Sequence, residues 1–241
     1  MKTLIWDFEG TLAYRPGGLW TPALMEIIHR ADPDRLVEPA QIRPYLDAGL
    51  PWQTPGKSHP EIQSAEQWWQ ALWPVFQAAF EAAGFAPAQA QEMAGQVRFV
   101  FSNPAKWALY PDTLETLQEL STQGWRHVIL SNHVPELGEV VQYLGLQACF
   151  VRVFNSAETG YEKPHPRAFE IALQALRPSD ALCMLGDNPI ADIQGARQVG
   201  LPAILVHNDS SQAEHACETL AQIPPMLASL FGAAHSPVAA P

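Results

Sequence analysis

Hydrophobic positions change texture three times along the chain. Residues 2–6 form a short apolar run that reads as a buried strand and stops at Asp7. From about Tyr14 to Lys106 the spacing becomes helical. "EQWWQALWPVFQAAFEAAG" puts Trp69, Leu72, Trp73, Phe76 and Phe80 on one helical stripe, with Pro74 expected to kink or split it. "TPALMEIIHR" predicts another helix, with Thr21 as N-cap and Pro22 at its first position.

Beyond this segment an alternation sets in. "DTLETLQELSTQG" reads as a helix capped by Asp112, and "HVILSN" as a strand. "PELGEVVQYLG" is a helix ending at Gly145; "FVRVFNS", "PRAFEIALQAL" and "ALCMLGD" follow as strand, helix, strand. "ADIQGARQVG" predicts a helix, "PAILVH" a strand, and "AEHACETLAQI" the start of the last helix. Strands alternating with helices of this length imply right-handed βαβ units and a parallel sheet. The expected fold class is therefore α/β: a doubly wound, Rossmann-like parallel sheet interrupted by an α-helical cap. The boundaries are a core of 1–13 and 107–230, a cap of 14–106, and a flexible, Pro-rich tail of 231–241.

Composition narrows the class. The 241 residues fit one core domain plus an insertion, and the net charge of −11 argues against nucleic-acid binding as the main task. The three cysteines, Cys149, Cys183 and Cys217, are widely spaced and suggest neither a disulfide framework nor a zinc cluster. The first apolar run is too short for a signal peptide, and no run reaches the ~18 residues of a membrane span. The expectation is a soluble, reducing, cytoplasmic protein, either monomer or homodimer. Six of the eight tryptophans lie between positions 20 and 107; helical spacing favours core, with reading an apolar or aromatic substrate as the alternative.

The polar residues sit where a doubly wound sheet binds ligands, at the carboxyl ends of strands. One strand ends in Asp7-Phe8-Glu9-Gly10-Thr11 and another in Ser131-Asn132. Lys163 follows a third, and Asp187, with Asp192 just beyond, follows a fourth. Neighbouring strands lie about 4.8 Å apart, so these side chains can converge. Carboxylates crowded together drive one another to protonate, and a hard divalent cation such as magnesium removes that conflict. A carboxylate beside it can attack phosphorus; a hydroxyl and a lysine can hold phosphoryl oxygens. Ser131 and Asn132 can equally cap the next helix, as can Asp187 and Asp192 the one after Pro189. His133 and His165 read as structural. Arg15 and Lys57 are candidates for reading a substrate.

Four segments together resemble the haloacid dehalogenase superfamily, in its phosphatase-like branch with a helical cap after the first motif. "DFEGT" is similar to its D-x-D-x-T, and "LSN", "EKPHPRAF" and "GDNPIAD" are similar to its next three motifs, in order. The resemblance implies Asp7 as nucleophile, with Ser131 and Lys163 binding the phosphoryl group. Thr11 and Asn132 join the substrate-binding set. Asp7 and Asp187 would hold Mg2+, with Asp192 direct or through water and Glu9 through its main-chain carbonyl. The substrate would be a small phosphorylated metabolite.

The departure from the pattern is Glu9, which stands where the family carries an aspartate acid/base. Its side chain is longer by about 1.5 Å. A misplacement of about 1 Å can cost on the order of 10²-fold in rate. Either the pocket is reshaped around Glu9, or the residue transfers protons poorly, or that step matters less for this substrate. A 2-haloacid dehalogenase is the first alternative, and the acids of "GDNPIAD" argue against it. A catalytically silent binding protein is the second.

Overall fold

The computed structural model describes residues 1–62, 64–208 and 213–232. Eight strands are assigned among these residues: β1 (Lys2–Trp6), β2 (Ala13–Tyr14), β3 (Ala108–Leu109), β4 (Trp125–Ser131), β5 (Phe150–Asn155), β6 (Ala181–Gly186), β7 (Ala203–Val206) and β8 (Ala216–Cys217). Six form one sheet in the order β5-β4-β1-β6-β7-β8, every pair parallel. The chain builds outward from β1 on one side, then returns to lay β6 on the other. The crevice of such a sheet opens where the order reverses, here beside β1 and β6.

Period-two alternation divides β1 between two cores. Leu4 and Trp6 face one, while Ile5 faces the other with Val128, Phe169 and Met184. The first core is continuous with the helices inserted between β2 and β3: α1 (Trp20–Ala31), α2 (Pro39–Gly49), α3 (Ala65–Ala82) and α4 (Pro87–Phe101). Trp20 is the hub of that region. It stacks on Phe101 at 3.8 Å and 9°, and lies near-parallel to Phe76 at 5.4 Å and to Trp52 at 5.8 Å. The antiparallel pair β2–β3 closes the base of the insertion.

The remaining helices are α5 (Thr113–Thr122), α6 (Leu137–Tyr143), α7 (Ser156–Thr159), α8 (Pro166–Ala175), α9 (Gly195–Gln198) and α10 (Ile223–Gly232). Among the described residues no helix is long and apolar enough to cross a membrane.

Several local expectations are corrected. Pro74 does not split α3, which runs unbroken with Trp69, Leu72, Phe76 and Phe80 buried. Packing of that stripe outweighs one lost backbone bond. α1 starts at Trp20, not after a Thr21 cap, because Trp20 is drawn into the ring stack. "AEHAC" supplies the edge strand β8, and the last helix starts only at Ile223. Its polar alternation is too short to be read as a strand alone; pairing with β7 makes it one. Of the predicted 231–241 tail, Phe231 and Gly232 complete α10, and Phe231 packs edge-on to Trp125. Residues 233–241 lie outside the described residues.

Candidate active site

β1 delivers Asp7 to the crevice, and its amide is pinned to the carbonyl of Leu185 on β6 at 2.8 Å. The chain then reverses at once. The amides of Leu12 and Ala13 both donate to the Phe8 carbonyl, at 2.9 and 3.0 Å. Gly10 makes this turn possible twice over. Its φ of +82° suits glycine, and a Cβ there would sit 2.4 Å from the Asp187 carboxylate. Gly186, at the end of β6, does the same for Asp192: a Cβ would fall 2.2 Å from its Oδ2.

Lys163 reaches the crevice from the loop after β5, almost fully buried. Its Nζ lies 3.0 Å from Asp7 Oδ1 and 2.5 Å from Asp192 Oδ1. Burial alone would lower its pKa, but the carboxylates of Asp192 and Asp7 reverse the sign and hold it charged. Asn132 fixes this lysine from behind. Its Oδ1 accepts from the Lys163 amide at 2.7 Å and its Nδ2 donates to the Lys163 carbonyl at 2.9 Å. Asn132 also lines the cavity, but its polar atoms hold the lysine's main chain. Thr11 likewise departs from the substrate-binding expectation: fully buried, it donates to Asp187 Oδ1 at 3.0 Å.

The carboxylates are crowded. Oxygens of Asp7, Asp187 and Asp192 lie within 4.8 Å of one another. Burial, with Asp7 adding to it, lifts Asp187 to about 6. Burial lifts Asp192 to about 7, against the pull of Lys163. Glu9 is raised furthest, to about 8, by burial first and then by Asp7 and Asp187. Ser131, at the tip of β4, has a buried hydroxyl with no protein partner. Hard oxygen donors held in mutual repulsion fit a divalent cation, and magnesium's preference for a few carboxylates plus water and phosphate matches this set. Asp7 and Asp187 have the freer oxygens. Asp192 spends Oδ1 on Lys163 and Oδ2 on the Asn188 amide at 3.0 Å.

The segment after β6 is not the simple helix expected. Pro189–Gln194 forms a wide π-type turn before α9, a geometry frequent at functional sites. Asn188, not Asp187 or Asp192, caps it by accepting from the amides of Ile190 and Ala191. Asp187 is thereby left to face the cavity, while Asp192 stays buried behind it.

Asp7, Glu9, Asn132, Lys163 and Asp187 line a cavity of about 420 Å³; Thr11, Ser131 and Asp192 lie behind its wall. Its floor holds Asp7, Glu9, Asp187 and Lys163; Leu19, Trp52 and Pro55 arrive from the inserted region. Sequence reading missed Leu19 and Pro55, while Trp52 belongs to the tryptophans it offered as substrate readers. Trp20, Trp68 and Trp69 are core, as helical spacing indicated. Arg15 is buried and donates to the carbonyls of Phe101 and Val100, at 2.9 and 3.4 Å; Lys57 lines a different cavity. His133 is buried against Phe8 and Trp107 and lowered to about 4 by burial; His165 caps α8.

Known proteins align with this arrangement. The sequence profile of the haloacid dehalogenase-like hydrolases matches residues 1–200. The human haloacid dehalogenase-like hydrolase domain-containing protein 3 is 34% identical over 180 residues, covering 70% of each chain. A phosphoserine phosphatase of Thermus thermophilus is 39% identical over 135 residues, 55% of this chain and 53% of its own. Among solved structures, the magnesium-bound putative hydrolase YfnB of Bacillus subtilis superposes with a TM-score of 0.72 at 17% identity, over 94% of this chain and 98% of its own. The L-2-haloacid dehalogenase of Xanthobacter autotrophicus superposes at 0.64 and 19%, over 94% and 98%.

Proposed function

For a chain that belongs to the haloacid dehalogenase-like hydrolases, we propose a magnesium-dependent phosphatase that hydrolyses a small phosphoric monoester through an aspartyl-phosphate on Asp7. The observation that carries this reading is the convergence of Asp7, Asp187 and Asp192 around the buried ammonium of Lys163. Relatives named as phosphatases support the reaction class. Residues 14–106 are assigned as a cap over a core of 1–13 and 107–230.

Asp7 and Asp187 would hold the cation, with Asp192 behind them, and the cation would offset phosphoryl charge. Lys163 and the unpartnered Ser131 hydroxyl bind the phosphoryl oxygens. An oxygen of Asp7 attacks phosphorus, and the bond to the ester oxygen breaks. Glu9 protonates the departing oxygen. Burial, the first cause that raises its carboxyl above the usual range, favours the protonated acid. The resulting Glu9 carboxylate then takes a proton from water, whose oxygen displaces Asp7 from phosphorus and releases inorganic phosphate.

The burial of the Glu9 carboxyl supports the reshaped-pocket reading over a silenced site. A dehalogenase has no use for Asp187 and Asp192 as a cation site, and the dehalogenase superposition speaks to fold alone. The test is hydrolysis of an aryl phosphate with magnesium and with chelator, in wild type and Asp7→Asn. Turnover only with magnesium, lost in Asp7→Asn, is expected. Full activity of Asp7→Asn would sink the mechanism.

A further inference from the structure

Resting on the phosphatase reading, we infer that the leaving group of the substrate is uncharged and apolar, with Trp52 the residue that selects it. The cavity above the phosphoryl site divides sharply. Its charged lining residues are Asp7, Glu9, Asp187 and Lys163. The rest of its wall is Leu19, Trp52, Pro55, Pro164, Ile190 and Ala191, with the amides of Asn132 and Asn188.

Among the described lining residues, Lys163 is the one cation, and it is already paired with Asp7 and Asp192. The two basic residues that the sequence offered as substrate readers do not line it. Arg15 is buried and bonded to the carbonyls of Phe101 and Val100, and Lys57 faces another cavity. A second phosphate, or the carboxylate of an amino-acid phosphate, would therefore meet carboxylates and apolar carbon with no cation to pair with. That is discrimination by an unpaired charge as much as by fit.

The attractive half is Trp52. It follows α2 in a tight turn at Pro51–Gln53, and its ring is braced on Trp20 at 5.8 Å and 28°. A braced indole loses little freedom when a ring or short hydrocarbon chain packs on it. Ile190, on the opposite element, is 62% exposed, so its side chain can change without disturbing the core.

Two measurements decide the matter. The first compares kcat/KM for phenyl phosphate, ethyl phosphate, phosphoserine and a pentose bisphosphate. Phenyl phosphate is expected to lead both charged substrates by at least about tenfold. Trp52→Ala should narrow the phenyl-to-ethyl ratio, chiefly through KM, and Ile190→Arg should raise the bisphosphate relative to phenyl phosphate. A wild-type preference for phosphoserine or the bisphosphate overturns the inference while leaving the phosphatase reading intact. The second is calorimetric binding of phenylphosphonate against phosphonoacetate, which needs no turnover. Tighter phenylphosphonate binding supports the inference even if no ester is hydrolysed, the outcome in which the phosphatase reading alone fails. Tighter phosphonoacetate binding overturns it.

Discussion

Asp192 and Glu136 are both carboxylates buried within one chain, yet their surroundings differ in kind. Asp192 shares one lysine with Asp7 and lies among further acids. Glu136, at the head of α6, is met by a full set of donors from the insertion. Trp69 Nε1 reaches both its oxygens at 3.1 Å, Arg98 Nε comes to 2.8 Å and Ser102 Oγ to 3.1 Å. One region crowds several carboxylates around a single lysine, and the other surrounds one carboxylate with donors. The saturated carboxylate is a pin between the insertion and the sheet. The crowded ones hold an electrostatic conflict that a divalent cation can relieve. A second contact, His59 Nε2 to the buried Glu162 at 3.0 Å, pins the insertion again, one residue from Lys163.

The largest expected effect comes from removing the crevice's cation. Lys163→Met should lower kcat for an aryl phosphate by on the order of 10²–10³-fold, the usual cost of losing one transition-state donor. Steady-state kinetics with saturating magnesium checks it, and a loss below tenfold would deny Lys163 that part. At the pin, Glu136→Ala should cost about 3 kcal/mol of stability, because Trp69 and Arg98 lose a buried partner. Chemical denaturation measures this, and a change under about 0.5 kcal/mol would mean that the junction does not depend on Glu136.

The comparison also has a pH signature. Glu9 is raised from 4.5 to about 8, so between those values the folded protein holds a proton that the unfolded chain has released. Without metal, stability should therefore fall as pH rises through that window, with Glu9 contributing up to about 1.4 kcal/mol per pH unit. Thermal unfolding in chelator should show Glu9→Gln with a shallower decline than wild type; equal slopes would contradict the assignment. His59 acts with the same sign, at higher pH. Its pKa is raised, first by the hydrogen bond to Glu162, so its stabilisation is full below about 6.5 and fades as pH climbs through the raised value. His59→Ala should then cost about 1 kcal/mol in mild acid and less in base. A pH-independent cost would mean that the charged form plays no part.

Much of this was legible beforehand because each piece was local. Apolar runs ending in acids located β1 and β6, and a parallel sheet carries every strand's carboxyl end to one edge. Asp7, Lys163 and Asp187 could thus be brought to one crevice without coordinates. The short strand β8 could not, because two residues carry no periodicity until β7 pairs with them.

Roles that depend on partners distant in the chain were decided by tertiary structure alone. Thr11 and Asn132 sit in the recognised segments, yet their side chains serve Asp187 and Lys163, 176 and 31 residues away. Glu136 carried no visible sign of three donors from α3 and α4. Trp52 resembled its neighbours until the fold left it on the cavity wall and buried Trp20 beneath it. The opening ambiguity, Glu9 in place of an aspartate, belongs to the same class. Residue type sets a carboxylic acid's length and its ordinary pKa near 4.5; burial and the charges of Asp7 and Asp187 take it to about 8. The sequence alone determined which chemistry-bearing residues share a sheet edge, since strand order and periodicity are short-range information. How far each is desolvated, and by whom it is satisfied, is a property of the packed interior.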